Sequence, residues 1–520
     1  MAALLHLGDI VRGHAFATPD RVGAGDLERS LTFGQWNERA RRLANGILGL
    51  GLAKGDRIAV LAYNRLEWLE IYAAVAKAGL IVVPVNFRLV APEILYILQD
   101  CDARALIVEE ALAGTIEQIR ADLPIAEKAY IHIGARAPAG WTAYEDILAG
   151  GADREPDAAV EPADPWALLY TSGTTGRPKG AIRSHGASAI LSLTTDVELG
   201  FARRDTGLLV MPMCHANSVY FMGALTTCGA PVRVYNRPSF DPEHLLRALA
   251  DGVATFTSLV PTHFVMMLGL PRAVLDSVDP GTISKFMISS APARRDTKEA
   301  ILDYFRNSRL WELYGSTEQG WATMLQPEDQ FSKLGSVGRE CVGSLPIRLL
   351  DEQGGDVPPG AVGELWSATP YAFDGYWNLP EKTAAAFRGP HLSVGDMAWR
   401  DEDGFYYLVD RKSNMIISGG ENVYPSEVEG ILGGHPMVKD VAVIGVPDKT
   451  WGERVQAVVV PHEGARVSVD ELMAWCREHL AGYKRPRKID LIEQDEMPRT
   501  ATGKILHRVL RERFADKSGA

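Results

Sequence analysis

A multidomain α/β fold is what this sequence predicts, on three observations. At 520 residues the chain exceeds what one hydrophobic core usually organises, so two or more domains are expected. Short apolar runs alternate with segments of helical periodicity, the pattern of a largely parallel sheet flanked by helices. Hydrophobic content of 46% with 23% charge is that of an ordinary globular protein. The same composition narrows the function. A net charge of −12 argues against a nucleic-acid binder, which would usually carry a basic face. Five scattered cysteines without C-x-x-C spacing suggest neither structural zinc nor disulfides, and point to a reducing cytoplasm. The first residues lack the basic start and apolar run of an export signal. No segment reaches the ~18–20 apolar residues of a spanning helix, so no membrane span is expected.

Taken in order, Thr32 to Gly51 has apolar residues at helical spacing and ends on glycine, predicting an amphipathic helix. Arg57 to Tyr63 reads as a strand, Glu67 to Ala78 as a helix, Leu80 to Val85 as a strand, Pro92 to Gln99 as a helix and Ala105 to Val108 as a strand. Gly151 to Pro165, acidic and rich in Pro and Ala, reads as a surface connector. The apolar run Trp166 to Tyr170 then leads into Tyr170–Gly180, YTSGTTGRPKG. Glycines 173, 176 and 180 can turn backbone N–H groups toward an anion, and hydroxyls and Lys179 add donors, so a phosphate chain is the natural guest. The spacing is not that of a P-loop, because Gly180 follows the lysine. Further on, Gly207 to Pro212 and Thr255 to Val260 are strand-like. In the C-terminal hundred residues Val438 to Val446 and Arg454 to Val460 are strand-like. Ser468 with Glu471 forms a capping box that opens an amphipathic helix to Leu480.

At YTSGTTGRPKG the chain resembles the adenylate-forming (ANL) enzymes: acyl-CoA synthetases, aryl-CoA ligases, luciferases and peptide-synthetase adenylation domains. Three more signatures follow in the order of that family: LYGSTE at Leu313–Glu318, RKSNMIISGGENVYP at Arg411–Pro425, and PRTATGK ending at Lys504. The resemblance spans nearly the whole chain. It implies a large N-terminal adenylation domain (1–411), a hinge at 412–413 and a small mobile α/β C-terminal domain (414–520). It also implies a two-step reaction in which MgATP activates a carboxylic acid as an acyl-adenylate, and a thiol, here coenzyme A, then displaces AMP.

The resemblance assigns residues as follows. Thr171, Ser172, Gly173, Thr174, Thr175, Gly176 and Lys179 cradle phosphate. Ser290, Ala291 and Pro292 lie along adenine, where small side chains let backbone approach a flat base. Tyr314 packs on adenine, with Gly315 and Ser316 in the turn, Thr317 on phosphate and Glu318 on Mg²⁺, a cation that takes one or two carboxylates with phosphate oxygens and water. Asp396 accepts both ribose hydroxyls, and Arg411 contacts ribose or phosphate. Ser413 aligns with the hinge, where Asp or Lys is usual. Gly419 and Gly420 let the pantetheine arm pass. Trp451, Tyr483 and Arg485 resemble the CoA-adenine and phosphate site of aryl-CoA ligases such as 4-chlorobenzoate-CoA ligase. Lys504 is the adenylation lysine. Its cation would offset charge as two anions are brought together.

The acyl pocket is assigned to Met213, His215, Phe264, Gly315 and Trp321. A histidine after a strand is more often structural than catalytic, and Phe264 and Met267 could equally be core. Ala216-Asn217-Ser218 lacks the Asp with which amino-acid-activating relatives pair an ammonium, and burying that charge alone is costly. The substrate expected is therefore a hydrophobic aryl, alicyclic or fatty acid. Gly363–Trp366 and Gly375–Trp377 match weaker landmarks and read as structural. Carrier-protein loading or a luciferase-like reaction would use the same nucleotide motifs. A scaffold protein would be expected to have lost Glu318, Arg411 or Lys504. A homodimer is expected on family grounds only.

Overall fold

The computed structural model describes residues 6–171, 177–289, 293–418, 421–448, 450–499 and 504–515. Ser172–Gly176, Ser290–Pro292, Gly419 and Gly420, all assigned above, lie outside the described residues. Packing divides the chain into two compact units, Met1–Ile347 with Ser367–Leu392, and Arg348–Trp366 with Ser393–Ala520. The residues from Ser393 to Arg411 thus group with the C-terminal part of the chain.

The larger unit holds two sheets. In the first, parallel strands Ile81–Val85, Arg57–Leu61, Ala103–Glu109 and Tyr130–Ile133 continue from Pro165–Thr171. Two antiparallel strands, Lys179–Ser184 and Gly375–Tyr376, close its other edge. The predicted helices appear at Phe33–Gly49, Glu67–Ala78 and Ala91–Asp100. The first starts where Thr32 and Gln35 form a reciprocal capping box, satisfying two otherwise orphaned backbone donors. The Glu67–Ala78 helix is buried on every side, which its near-continuous apolar and alanine content allows. In the second sheet, Val232–Val234, Gly207–Leu209, Phe256–Leu259, Lys285–Ile288 and Arg309–Ser316 run parallel, and Gly320–Leu325 returns antiparallel. In such sheets ligands bind beyond the carboxyl ends of the strands. Thr171, Ser289 and Ser316 stand at or just past such ends, and His215 closes the loop between Gly207–Leu209 and the helix Ala216–Cys228.

The predicted connector has no regular secondary structure from Ala152 to Pro162, and it is fastened down. Lys77 pairs with Glu155 at 2.7 Å, Lys54 pairs with Asp164 at 2.7 Å, and Asn45 Nδ2 donates to the carbonyls of Ala152 and Arg154. A Cβ on Gly151 would stand 1.9 Å from the Arg42 carbonyl oxygen, so only glycine fits that approach.

The smaller unit is built on Val438–Asp448 and Gly452–Pro461, a long antiparallel pair with Ile416–Ser418 and Lys488–Leu491 alongside. Alternation along these strands fills two cores. Val443, Val455, Ala457 and Val459 pack toward Leu472 and Cys476, while Ile444, Val458 and Val460 pack toward Leu510 and Phe514. The helix Val469–His479 opens with the predicted Ser468–Glu471 capping box. Among the described residues no helix is long and apolar enough to cross a membrane.

Candidate active site

In the larger unit the site is assembled from three turns. The first belongs to the hairpin of Pro165–Thr171 and Lys179–Ser184, where Thr171 faces Lys179 across the ladder. Tyr170 anchors it by donating to Asp100 Oδ2 at 2.6 Å. The second turn, Thr317 to Gln319, joins Arg309–Ser316 to Gly320–Leu325. A Cβ on Gly315 would lie 2.0 Å from the Gly320 carbonyl oxygen, and Gly320 has φ +68° with the Tyr371 ring filling the space a side chain would need. Two glycines therefore let this hairpin close tightly. Ser316 Oγ accepts from Gln319 N at 3.0 Å. Fully buried Arg183 donates to the carbonyls of Tyr371 (2.7 Å) and Thr317 (3.4 Å), and the Tyr220 hydroxyl reaches the Thr317 carbonyl at 2.9 Å. The third turn brings Tyr376, whose hydroxyl donates to Glu318 Oε1 at 2.9 Å.

Thr171, Lys179 and Glu318, assigned from separate motifs, are thereby brought together. Thr171 Oγ1 makes a long 3.4 Å contact to Glu318 Oε1, and Lys179 Nζ sits 3.9 Å from the centre of the Tyr376 ring. One buried carboxylate beside a hydroxyl is an oxygen donor set that suits a hard cation arriving on phosphate oxygens. Among the described residues no group of three or more His, Cys, Asp or Glu could hold a metal. Any metal here would thus depend on its phosphates for most of its ligands, as Mg²⁺ with ATP does. Tyr314 is buried on the same strand.

Of the acyl-pocket assignments, Met213, Phe264 and Trp321 are packed in core. Phe264 lies edge-to-face with Phe286, and Trp321 Nε1 donates to Thr195 Oγ1 at 3.0 Å. His215 differs. It precedes the helix Ala216–Cys228, and its Nε2 is buried without a hydrogen-bond partner. Burial first, then the Arg88 guanidinium, pushes its pKa down to about 4, so the imidazole is neutral near pH 7. His263, which the motifs did not single out, behaves alike. Its Nδ1 is buried and unpartnered, its ring stacks on Phe240 at 4.1 Å, and the same two causes lower its pKa to about 4. Asn217 Nδ2 donates to Ser258 and Ser289 Oγ, each at 3.1 Å, so the position where an ammonium-binding Asp was missing is tied into a neutral polar network.

The smaller unit carries a second cluster. Asp396 lies opposite Arg411 in the antiparallel pair Asp396–Arg400 and Tyr406–Arg411, and Arg411 Nε donates to Asp396 Oδ1 at 3.1 Å. Lys504 keeps solvent contact, yet its pKa is lowered, by burial first and then by the nearby Arg411, with Asp396 acting the other way. The three residues assigned to ribose, phosphate and transferring charge therefore act on one another electrostatically. The CoA assignments separate. Trp451 and Tyr483 are both partly exposed, but Arg485 donates to the carbonyls of Leu480 (2.8 Å) and Arg477 (3.1 Å), closing the end of the helix Val469–His479. Arg487 instead stands over the Trp451 ring at 4.4 Å. At the assigned hinge, Lys412 donates to Glu364 at 2.9 Å, and the carbonyls of Ser413 and Asn414 accept from Arg511 at 3.0 and 2.9 Å.

Family models decide the identity. The model of the AMP-binding enzymes matches residues 11–377, and that of their C-terminal domain matches 427–504. The chain belongs to the AMP-binding, adenylate-forming enzymes. Among relatives of this AMP-binding enzyme, a feruloyl-CoA synthase of Amycolatopsis sp. is 37% identical over 93% of the chain and 94% of its own length. An indoleacetate–CoA ligase of Aromatoleum aromaticum is 33% identical over 99% of both. A crystal structure of an anthranilate CoA ligase in complex with anthranoyl-AMP superposes with TM-score 0.90 at 27% identity, covering 100% of this chain and 99% of the other. ATP-bound MatB from Rhodopseudomonas palustris gives 0.86 at 30%, over 99% and 100%. The fold class read from the strand–helix alternation and the four signatures is thus that of this AMP-binding enzyme. Tyr376, His263 and Arg487 stand beside assigned residues without having been assigned themselves. Tyr376 lay in a segment read as structural, and Arg487 stood two positions from the arginine chosen.

Proposed function

We propose that this AMP-binding enzyme is an AMP-forming acid–CoA ligase for an aromatic carboxylic acid bearing a hydrogen-bonding substituent. The meeting of Thr171 with the buried Glu318 carboxylate, and of both Glu318 and Lys179 with Tyr376, carries the adenylating part of this reading. Lys179 and the hydroxyls around it bind the ATP phosphates. Glu318 would hold Mg²⁺, which when bound would neutralise phosphate charge. The substrate carboxylate attacks the α-phosphorus, pyrophosphate leaves, and Lys504 offsets the charge that moves between the two oxygens. Asp396 and Arg411 orient the ribose. The CoA thiol then loses its proton, attacks the acyl carbon and releases AMP. Between the two steps a lobe 414–520 turns on a hinge at 412–413 relative to 1–411, a domain motion of a known kind. Arg487 on Trp451 suits a stacked adenine with a phosphate beside it, and takes the role given above to Arg485.

The choice of acid rests on His215 and His263. Two neutral imidazole nitrogens buried without partners favour a ring hydroxyl or N–H that can give or accept a hydrogen bond. A plain alkyl chain would leave both unsatisfied, and sites built for a polar substituent reject analogues lacking it strongly. The names of the relatives above, which include hydroxylated and nitrogen-bearing aryl acids, support the same class. The enzyme would act in the reducing cytoplasm, as a homodimer on family grounds. The deciding experiment measures pyrophosphate release and thioester formation over hydroxylated, amino, unsubstituted aryl and fatty acids, with and without CoA. Substituted aryl acids should give the highest kcat/KM and a CoA-dependent thioester. Preference for fatty acids would overturn the substrate class, and adenylate without thioester would favour a carrier protein as acceptor.

A further inference from the structure

We propose that Tyr376 is a positioning residue of the adenylation site, acting by its edge on Glu318 and by its face on Lys179. The inference rests on the reading of Glu318 as the magnesium carboxylate and Lys179 as a phosphate-binding cation.

Backbone pairing sets the tyrosine between these two groups. Tyr376 lies opposite Ala181 in the ladder with Lys179–Ser184, and Trp377 N donates to the Gly180 carbonyl at 2.8 Å. Its own N–H is held by Thr383 Oγ1 at 2.8 Å, and Gly375 before it takes φ +139°, a conformation that L side chains rarely adopt. The neighbouring Phe373 N donates to the Glu318 carbonyl at 2.7 Å and its ring packs edge-on to Tyr376 at 4.8 Å. The ring is thus buried and fixed from both sides. Its hydroxyl donates to Glu318 Oε1 at 2.9 Å, while Lys179 Nζ lies 3.9 Å from its centroid.

Two consequences follow for the chemistry. A donor on Oε1 fixes the carboxylate rotamer and leaves Oε2, which has no hydrogen bond among the described residues, to meet a cation. The π face holds the ammonium by attraction to the ring quadrupole without neutralising it, so the lysine keeps its charge for phosphate. A tyrosine can do both, whereas phenylalanine does only the second.

The test separates edge from face. Tyr376→Phe should raise the Mg²⁺ concentration giving half-maximal pyrophosphate release by about 10-fold or more, the range for losing a partner of a metal-binding carboxylate. Mn²⁺ binding in the presence of a non-hydrolysable ATP analogue, followed by electron paramagnetic resonance, should weaken in parallel. The ATP dependence at saturating Mg²⁺ and the thioester step from preformed acyl-adenylate and CoA should stay near wild type. Tyr376→Leu should add weaker ATP binding at saturating Mg²⁺. In a Glu318→Gln background Tyr376→Phe should have no further effect on metal dependence, because its target is gone. An unchanged Mg²⁺ requirement in Tyr376→Phe, or an additive loss in that cycle, overturns the proposal. A wild-type enzyme indifferent to Mg²⁺ would instead overturn the reading of Glu318 itself.

Discussion

Two lysines in this chain meet carboxylates in opposite ways. Lys298, on the helix Arg295–Tyr304, is wholly buried and forms an ion pair with Glu312, itself almost inaccessible on the strand that leads to Tyr314. Its ammonium also donates to the Gln330 carbonyl at 3.3 Å, and Glu312 Oε2 accepts from Ala293 N at 3.5 Å. The partners shown for this pair all come from the fold itself. Lys504 keeps solvent contact, stands near the positive Arg411, and is balanced by Asp396. The first lysine stabilises the fold. The second is the lysine to which the adenylation role is proposed above, and perturbed titration near like charge is a mark of functional sites.

The largest effect that would break this contrast is on Lys298. Lys298→Met should cost about 3–5 kcal/mol of stability, because it leaves the buried Glu312 without its cation. Urea unfolding measures it, and Lys298→Met with Glu312→Leu together should recover most of the loss. A single mutant as stable as wild type would make the pair incidental. Next, Lys504→Ala should keep the urea midpoint but lower adenylate formation by about 10²–10³. Given preformed acyl-adenylate and CoA it should make thioester at near the wild-type rate, and equal slowing of both steps would remove the distinction.

A smaller effect sharpens the comparison at the CoA end. Arg487→Ala should raise the KM for CoA about 10-fold, equivalent to losing ~1.4 kcal/mol, while pyrophosphate release is unaltered. Arg485→Ala should instead loosen the end of its helix and lower thermal stability with little change in that KM. The reverse result would return the role to Arg485.

A further effect lies in the acid limb of the stability curve, away from both lysines. His215 and His263 have folded-state pKa values near 4, below the ordinary histidine value of about 6.5. Between those limits the unfolded chain takes up protons that the folded chain refuses, so stability present above pH ~6.5 is lost as pH falls toward 4. His263→Gln should flatten that limb. An unchanged slope in urea midpoints across this window would show that His263 is not held neutral by burial.

Local pattern made much of this molecule legible. The helix Glu67–Ala78 matches its apolar pattern to the residue, and the capping box at Ser468 starts its helix as the side chains dictate. The four signatures stand in order because chemistry at a phosphate needs particular residue types. What stayed hidden depends on strand pairing and on direction. Nothing near Tyr376 announces that Lys179 and Glu318 will close on it, since the contacts come from ladder registers between distant strands. In Lys484-Arg485-Pro486-Arg487 charge pattern could not tell which arginine turns back to cap a helix and which faces Trp451. Phe264 had the same apolar character as core or as pocket wall, and packing against Phe286 made it core.

The fastened connector bears on how this protein can be altered. By composition, the stretch from Gly151 to Pro165 is where an engineer would first splice in a tag or a reporter domain, since acidic, proline-rich surface segments usually tolerate insertion. Here each end is clasped, by Gly151 against the Arg42 carbonyl and by Lys54 on Asp164, with Lys77 drawing Glu155 inward between them. The residue after Asp164 already opens the strand that carries Thr171. A splice there would pull on the phosphate hairpin, so limited proteolysis and insertional mutagenesis should both find this segment among the more resistant on the surface.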